Sequence, residues 1–501
     1  MTLAPSYDAR GRAGGPELST RRRWAGLAVL SASLLVVVMD MTILNVALPD
    51  LVADLRPGAV AQLWIVDVYP LVLAGLLVPV AAVADRVGRR RVLLLGFAVF
   101  GGGSLLVLLA DSAGAVIGLR ALLGVGGAMI MPATLSLIRA LFPDGRERAL
   151  ALSVWAATAA AGGAVGPVIG GALMELAGWH AAFLVNVPLM VVAVVAGALL
   201  LPESRSAHPG RLDAIGVLTS VVGAVALVHA VKHGARHGVD LETLVAVVVG
   251  VVLLRWFVRR CLRQDDPMLA VRLFADPVFR AGVVAALASS TVMVALLLVG
   301  SQWLQLVEGF SPLQAGAALV PLAISSVVAA PLAPGLAARH GVRTVLVGGL
   351  LTASSGLLLL GLLPRPLDYP AVAVALGVVG LGTSALGLGS ALIMGRAPEH
   401  QAGSAAATEE MSYEIGAVLG VSLLGGLAGV VYRGGLPADA PEAVRESVAG
   451  ALGTSLADTA GAAWTTAFGV IGLVGCAAVA LAAAVVWRWI PRDLDLGALE
   501  H

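Results

Sequence analysis

Fourteen apolar runs and a one-sided distribution of arginine predict an all-α polytopic membrane protein built as two halves. The first observation is composition. Of the 501 residues, 59% are hydrophobic before the 61 glycines are counted, and 13% are charged, whereas soluble domains reach roughly 45–50% apolar with glycine included. No water-soluble globule has interior enough for that excess, so most of it must face hydrocarbon. The second observation is spacing: windows of about 19 residues find candidate spans at 24–46, 61–84, 92–110, 114–138, 149–174, 180–201, 213–232, 241–258, 281–304, 313–337, 342–363, 369–393, 402–431 and 462–487. The third is charge. Of the 32 basic residues, Arg56, Lys232, Arg236, Arg365, Arg433 and Arg445 fall opposite the N-terminus, Arg120 falls inside a span, and the other 25 fall on the N-terminal side. Positive charge collects in cytoplasmic loops, so both termini are expected in the cytoplasm.

Residues 1–23 read as a cytoplasmic tail ending in Arg21, Arg22 and Arg23, and the apolar run from Trp24 is far longer than the core of a cleaved signal, so the first helix is expected to stay. Residues 24–201 hold six spans. Residues 202–280 hold two further spans and a linker from Arg259 to Arg280 that carries Asp265, Asp266, Pro267, Asp276 and Pro277. Residues 281–487 hold the last six, interrupted by an external loop, 432–461, in which Glu442, Glu446 and Asp458 mark a short amphipathic segment; 488–501 form a cytoplasmic tail. Neither long stretch has room for a soluble catalytic domain. The turn at 81–89, between spans 2 and 3, is echoed at 335–343, between spans 10 and 11. Such internal repeats place a transporter's site between two bundles, near the bilayer midplane.

Several functions are excluded at once. A net charge of +1 gives no footprint for nucleic acid. Lys232 is the only lysine and no G-x-x-x-x-G-K precedes it, so no ATP-binding loop is present. No Ser/His/Asp or G-x-S-x-G constellation stands outside the membrane, so no enzyme is expected, and no cofactor. Cys261 and Cys476 fall in a cytoplasmic loop and a span, too far apart for a disulfide.

Four stretches carry a family likeness: DMTILNVALP from Asp40 to Pro49, DRVGRR from Asp85 to Arg90, RALLGVG from Arg120 to Gly126, and GGAVGPVIGG from Gly162 to Gly171. With them the chain resembles the fourteen-helix drug:proton antiporter family of the major facilitator superfamily, the QacA-like multidrug exporters, over nearly its whole length. The likeness implies the major facilitator fold, two six-helix bundles plus two additional central helices. It also implies proton-coupled export and a coupling role for Asp40 and Arg120. The glycine-rich stretch is the family's mark of exporters rather than uptake systems. Departures are mild: Ala81 stands where a glycine is usual, and Leu123 where a glutamine is. Some relatives carry an acid in the middle of span 10, where this chain reads Ala323-Ile-Ser325-Ser326-Val327. That substitution removes the expectation of divalent substrates.

The same residues have a physical reading. An ionisable group inside a span costs roughly 2.5–3.5 kcal/mol on insertion scales and marks a functional site by default. Five acids and one base are placed at depth: Asp40, Asp67, Glu409, Glu410, Glu414 and Arg120, a surplus of four negative charges that suits protons and lipophilic cations. Asp40 and Arg120 each lie about 10 Å from the outer end of their spans at 1.5 Å per residue, close enough to pair either as a proton relay or as a fixed structural bridge. Glu410 and Glu414 share one face of span 13 while Glu409 shares a stripe with Tyr413. Glu414 is about 18 Å deep when counted from Ala402. Two carboxylates one turn apart in low dielectric are not both charged cheaply, so at least one is expected to be protonatable. If span 13 begins only near Met411, Glu409 and Glu410 instead stand in cytoplasmic water. Asp67, near the outer interface, either guides cations inward or reaches headgroup water.

Gly162, Gly166 and Gly170 form a small-residue stripe around Pro167, fit for close packing or for a gate that bends and seals. Asp85 with Arg86, Gly88 and Arg89 reads as a charge latch on the cytoplasmic side. His229, His233 and His237 recur every fourth residue, but one helix stripe offers too few ligands and no acid is adjacent in sequence, so no metal is expected. The function expected is proton-driven export of lipophilic, mostly cationic drugs across the cytoplasmic membrane of a bacterium, by a monomer whose partners are the drug, protons and the bilayer. The alternative is a dedicated self-resistance exporter of one antibiotic or metabolite. Thirty-one arginines to one lysine, with abundant alanine and glycine, point to a GC-rich genome.

Overall fold

The computed structural model describes residues 19–205, 213–264, 267, 269–398, 401–492 and 494. Fourteen long helices follow one another: α1 Thr20–Leu55, α2 Ala59–Val87, α3 Arg89–Leu109, α4 Ala113–Leu141, α5 Gly145–Ala177, α6 Trp179–Leu200, α7 Ala214–His237, α8 Leu241–Arg263, α9 Pro277–Leu306, α10 Pro312–Ala329, α11 Val342–Leu362, α12 Tyr369–Gly395, α13 Ser404–Gly434 and α14 Ala457–Trp489. Thirteen of them are long and apolar enough to cross a bilayer over their described residues; α5, 33 residues long, contributes the apolar stretch Val165–Ala177. The face on which α1 begins is the near face, and the one on which it ends the far face.

Helix ends are set by short polar side chains that satisfy backbone N–H groups left over in the first turn. Ser19 and Ser112 cap α1 and α4, Asp240 and Asp276 cap α8 and α9, and Ser311 with Gln314 forms a capping box on α10. Asp213 caps α7 and also takes the Arg260 guanidinium at 2.6 Å, which holds its carboxyl below the usual carboxylate range and ties α7 to α8 at the near face. The repeated turns are built alike: Gly88 (φ 126°) separates α2 from α3, and Gly341 (φ 83°) separates a short helix, Leu332–His340, from α11, each in a conformation only glycine adopts freely.

Two apolar cores result. One joins α1 to α6 around Phe97, Phe100, Ile130 and Phe183; the other joins α9 to α14 around Leu296, Trp303, Leu346 and Phe468. The α7–α8 hairpin stays outside both. Only 22% and 17% of its two apolar windows are buried, so its valines and leucines must meet lipid. α7 leans on α2, and α13 packs against both α2 and α9.

Several segments differ from the sequence expectation. The loop at 432–461 is mostly helical: α13 runs to Gly434, a short helix spans Glu442–Glu446, a 3-10 turn spans Val448–Ala451, and α14 starts at Ala457. Val444 is buried, and its carbonyl accepts a 2.7 Å bond from the Tyr432 hydroxyl. Within the linker, α8 continues to Arg263 and a 3-10 turn fills Val271–Ala275; Asp265 and Asp266 lie outside the described residues. Finally, α13 is interrupted by a π-helical turn at Gly420–Gly425.

Candidate functional site

Polar side chains from the first bundle converge on Asp40, which is 2% exposed. Its Oδ2 accepts from Arg120 Nη1 at 2.6 Å and its Oδ1 from Asn186 Nδ2 at 2.7 Å; Asn186 lies 3.2 Å from Ser104 Oγ. Arg120 also donates from Nε to the Ile65 carbonyl at 3.3 Å and lies 4.5 Å from the Tyr69 ring centre. The expected pair forms. A charge buried this deeply persists only when paired and hydrogen-bonded. Asn186 and Ser104 were not anticipated.

Beside the pair lies a cavity of about 330 Å³ between the two halves, within the size range of small-ligand sites. Arg120, Thr42 and Asn45 face it from the first half and Met293, Leu297 and Ser326 from the second. Arg120 is its one charged wall residue among those described.

The span 13 acids lie elsewhere. The helix that α13 belongs to begins at Ala402, so Glu409 and Glu410 lie within it, each half-buried. Glu409 accepts from the Ser390 hydroxyl of α12; Glu414 is 4% exposed, and among the described residues its Oε2 has no hydrogen-bond partner. The Tyr413 carbonyl accepts from Ser290 Oγ at 2.6 Å. The cavity's α13 wall is instead Ala417 and Val421, about one and two turns beyond Glu414.

Asp67 and Lys232 correct the sequence reading most. α7 continues past the expected end of span 7, so Lys232 sits inside the helix and is 1% exposed rather than in an outer loop. Its Nζ lies 2.8 Å from Asp67 Oδ2 and 3.9 Å from the Trp64 ring centre, and the Ser422 hydroxyl donates to the same Asp67 oxygen at 2.6 Å. Asp67 is fully enclosed, which removes the reading in which it reaches headgroup water. With Lys232 counted, the buried surplus falls from four negative charges to three.

The gating candidates are placed as follows. Arg89 donates to Asp85 at 2.9 Å and to Ser204 Oγ at 3.3 Å, while Arg86 is exposed. A Cβ on Gly88 would meet the Glu203 carboxylate, so the turn rests on the stretch after α6, within the first half. The glycine stripe faces α1: a Cβ at Gly162 would lie 3.0 Å from the Leu35 carbonyl, one at Gly166 would collide with Thr42 Oγ1, and one at Gly170 would meet Ile43 at 3.1 Å. Pro167 lines the cavity and its carbonyl lies against Gly316 of α10. At the far face the halves also touch where Gly171 meets Pro312 and Leu313, and where Ser301 and Gln305 donate to the Asn45 and Val46 carbonyls at 2.7 and 3.0 Å.

To two bundles, a cavity between them and the buried Asp40–Arg120 pair beside it, sequence comparison adds the pattern of the Major Facilitator Superfamily, which covers residues 30–421. The chain belongs to the major facilitator superfamily. It is 39% identical to the multidrug efflux pump LfrA of Mycolicibacterium smegmatis, over 93% of this chain and 96% of that protein. It is 36% identical to the methyl viologen resistance protein SmvA of Salmonella typhimurium, over 81% and 82%. The tetracenomycin C resistance and export protein of Streptomyces glaucescens is 30% identical, over 81% and 76%. A crystal structure of a bacterial homologue of the human lysosomal transporter Spinster, in an inward-facing and unoccupied conformation, shares the fold with a TM-score of 0.68 at 17% identity, covering 94% of this chain and 98% of that one. As a member of this superfamily the chain is a multi-pass protein of the bacterial cell membrane.

One family-independent feature remains. The histidines do have acids beside them, because α8 folds back on α7: Glu242 and Asp240 reach His229 and His233. The side chain of His237 lies outside the described residues.

Proposed function

We propose that the protein is a proton-driven exporter of lipophilic, mostly cationic compounds, with fourteen spans, α5 the fifth, and the near face with both termini in the cytoplasm. The observation that carries this reading is Asp40, a lone acid bonded to Arg120 and Asn186 at the edge of the central cavity. Such a group can exchange a proton only by rearranging partners drawn from α4 and α6, and that requirement couples protonation to helix movement. Relatives named as efflux and resistance proteins support export. Glu414 and Tyr413 lie about one turn from the cavity wall and Glu409 and Glu410 about two, a cluster of carboxyl groups that favours a cation over a neutral compound; Asp67, paired with Lys232, adds no net charge to it. No ATP site and no catalytic constellation compete with this reading.

The test is efflux of a cationic dye from proteoliposomes under an imposed pH gradient. Pumping is expected to collapse to background when a protonophore is added, with or without ATP, and in Asp40→Asn whatever the substrate, since asparagine cannot titrate. Glu414→Gln is expected to reduce transport of cations more than that of neutral compounds. Uphill transport by Asp40→Asn at the wild-type rate would place coupling elsewhere. The tetracenomycin and puromycin resistance relatives favour a second reading, a dedicated exporter of one antibiotic. Transport confined to one compound of a broad panel would select it.

A further inference from the structure

We propose that the α7–α8 hairpin carries a binding site for a divalent transition-metal ion, zinc being the best fit, at the far face of the membrane. The ligands are His229 Nε2, His233 Nδ1 and Glu242 Oε1. One ligand atom from each of the three residues lies within 4.8 Å of the others, and Glu242 Oε1 is 2.9 Å from His229 Nε2 and 3.7 Å from His233 Nδ1. Zinc bonds to nitrogen and oxygen of about 2.0–2.2 Å place tetrahedral ligands roughly 3.3–3.5 Å apart, a value these two separations bracket. Three ligands leave a fourth position for water.

The surroundings are those of a metal site rather than of a chance ion pair. His233 presents Nε2 to Asp240 Oδ2 at 2.8 Å, so its other ring nitrogen, Nδ1, is the one turned toward Glu242. A carboxylate behind a ligating imidazole fixes the ring and its tautomer. Asp240 is itself held, because its Oδ1 accepts from the Thr243 backbone N–H and hydroxyl, both at 2.8 Å. The two imidazoles are one turn apart on α7 with ring centres 5.7 Å apart, and the acids arrive from the start of α8. A mixed imidazole and carboxylate set selects zinc, cobalt, nickel or copper over magnesium. Glu242, in the first turn of α8, is 60% exposed, so an ion reaches it at the far end of the hairpin without opening the bundle. Lys232, on the same two turns of α7, points the other way into Asp67, so an ion here braces the segment that delivers that ammonium.

The test uses the purified full-length protein without a polyhistidine tag. Thermal unfolding and Co²⁺ absorption are measured as Zn²⁺, Co²⁺ or Mg²⁺ is added. Zn²⁺ is expected to raise Tm with saturation at one ion per chain, Co²⁺ to give the intense visible bands of a tetrahedral site, and Mg²⁺ to do neither. His229→Gln and Glu242→Gln are each expected to raise Kd at least about 10-fold, and Asp240→Asn about 10–100-fold, the range for loss of an orienting partner. All three positions are solvent-facing, and an unchanged metal-free Tm reports that each variant folds. Equal Zn²⁺ affinity in the wild type and in His229→Gln/Glu242→Gln, or an equal shift with Mg²⁺, would overturn the proposal.

Discussion

Asp67 is enclosed by groups from two distant parts of the chain, Lys232 of α7 and Ser422 of the π turn, and, through the lysine, by Trp64 of its own helix. Removing one partner of a buried pair costs about 3–5 kcal/mol, because the survivor is left charged in low dielectric, whereas replacing both by apolar groups is often neutral. Lys232→Met is therefore expected to lower Tm sharply, and Lys232→Met/Asp67→Leu to restore most of it, read by thermal unfolding in detergent. A single variant as stable as the wild type would mean that Asp67 is already neutral when α7 docks. At this scale the sequence was legible wherever depth alone decides. Asp40 and Arg120 could be matched by counting residues from the same membrane edge, but Asn186 and Ser104 could not, since uncharged polar groups stand at every depth. Lys232 was misplaced for a local reason. Gly234, Arg236 and His237 look like a loop, yet α7 runs through them, stopping only at Gly238 with its positive φ of 83°.

Helix against helix, α5 packs closely on α1. A methyl on Gly166 would overlap the Thr42 hydroxyl and lie 3.2 Å from the Met39 carbonyl, so the two backbones approach as only glycine allows. Gly166→Val is expected to abolish transport and lower Tm, whereas Gly118→Ala on α4, where a Cβ meets nothing within 4 Å, is expected to leave both unchanged, measured at matched expression. The four-residue spacing of Gly162, Gly166 and Gly170 announced a packed stripe, but a stripe does not name its neighbour. Pairing of α1 with α5 follows from the winding of the whole bundle. The same limit hid the acids beside His229 and His233, which are distant until two helices fold back on each other.

For the molecule as a whole, transport requires the halves to part at the far face, where Gly171 rests on Pro312 and Leu313. A larger side chain there acts as a wedge. Gly171→Leu is expected to shift the population toward a far-open state, seen as faster labelling of a cysteine at position 293 by an impermeant maleimide added at that face, in a background without Cys261 and Cys476. Unchanged labelling would show that Ser301 and Gln305 alone keep the halves together. The two-half plan was legible in the repeated turns at Gly88 and Gly341, because a glycine-only corner between basic helix ends is a strong local mark. The repeat also put the site between the halves, where the cavity lies, but the residues that wall it were not legible, since they are mostly ordinary apolar residues of both halves.

The burial of Lys232 has a practical corollary for handling the protein. Every side-chain amine the chain owns is that one group, and it is sealed between Asp67 and Trp64. Amine-reactive dyes, formaldehyde fixation through lysine and lysine-specific proteases thus find no side-chain target on the folded surface. Modification at position 232 becomes a clock for α7 leaving its seat.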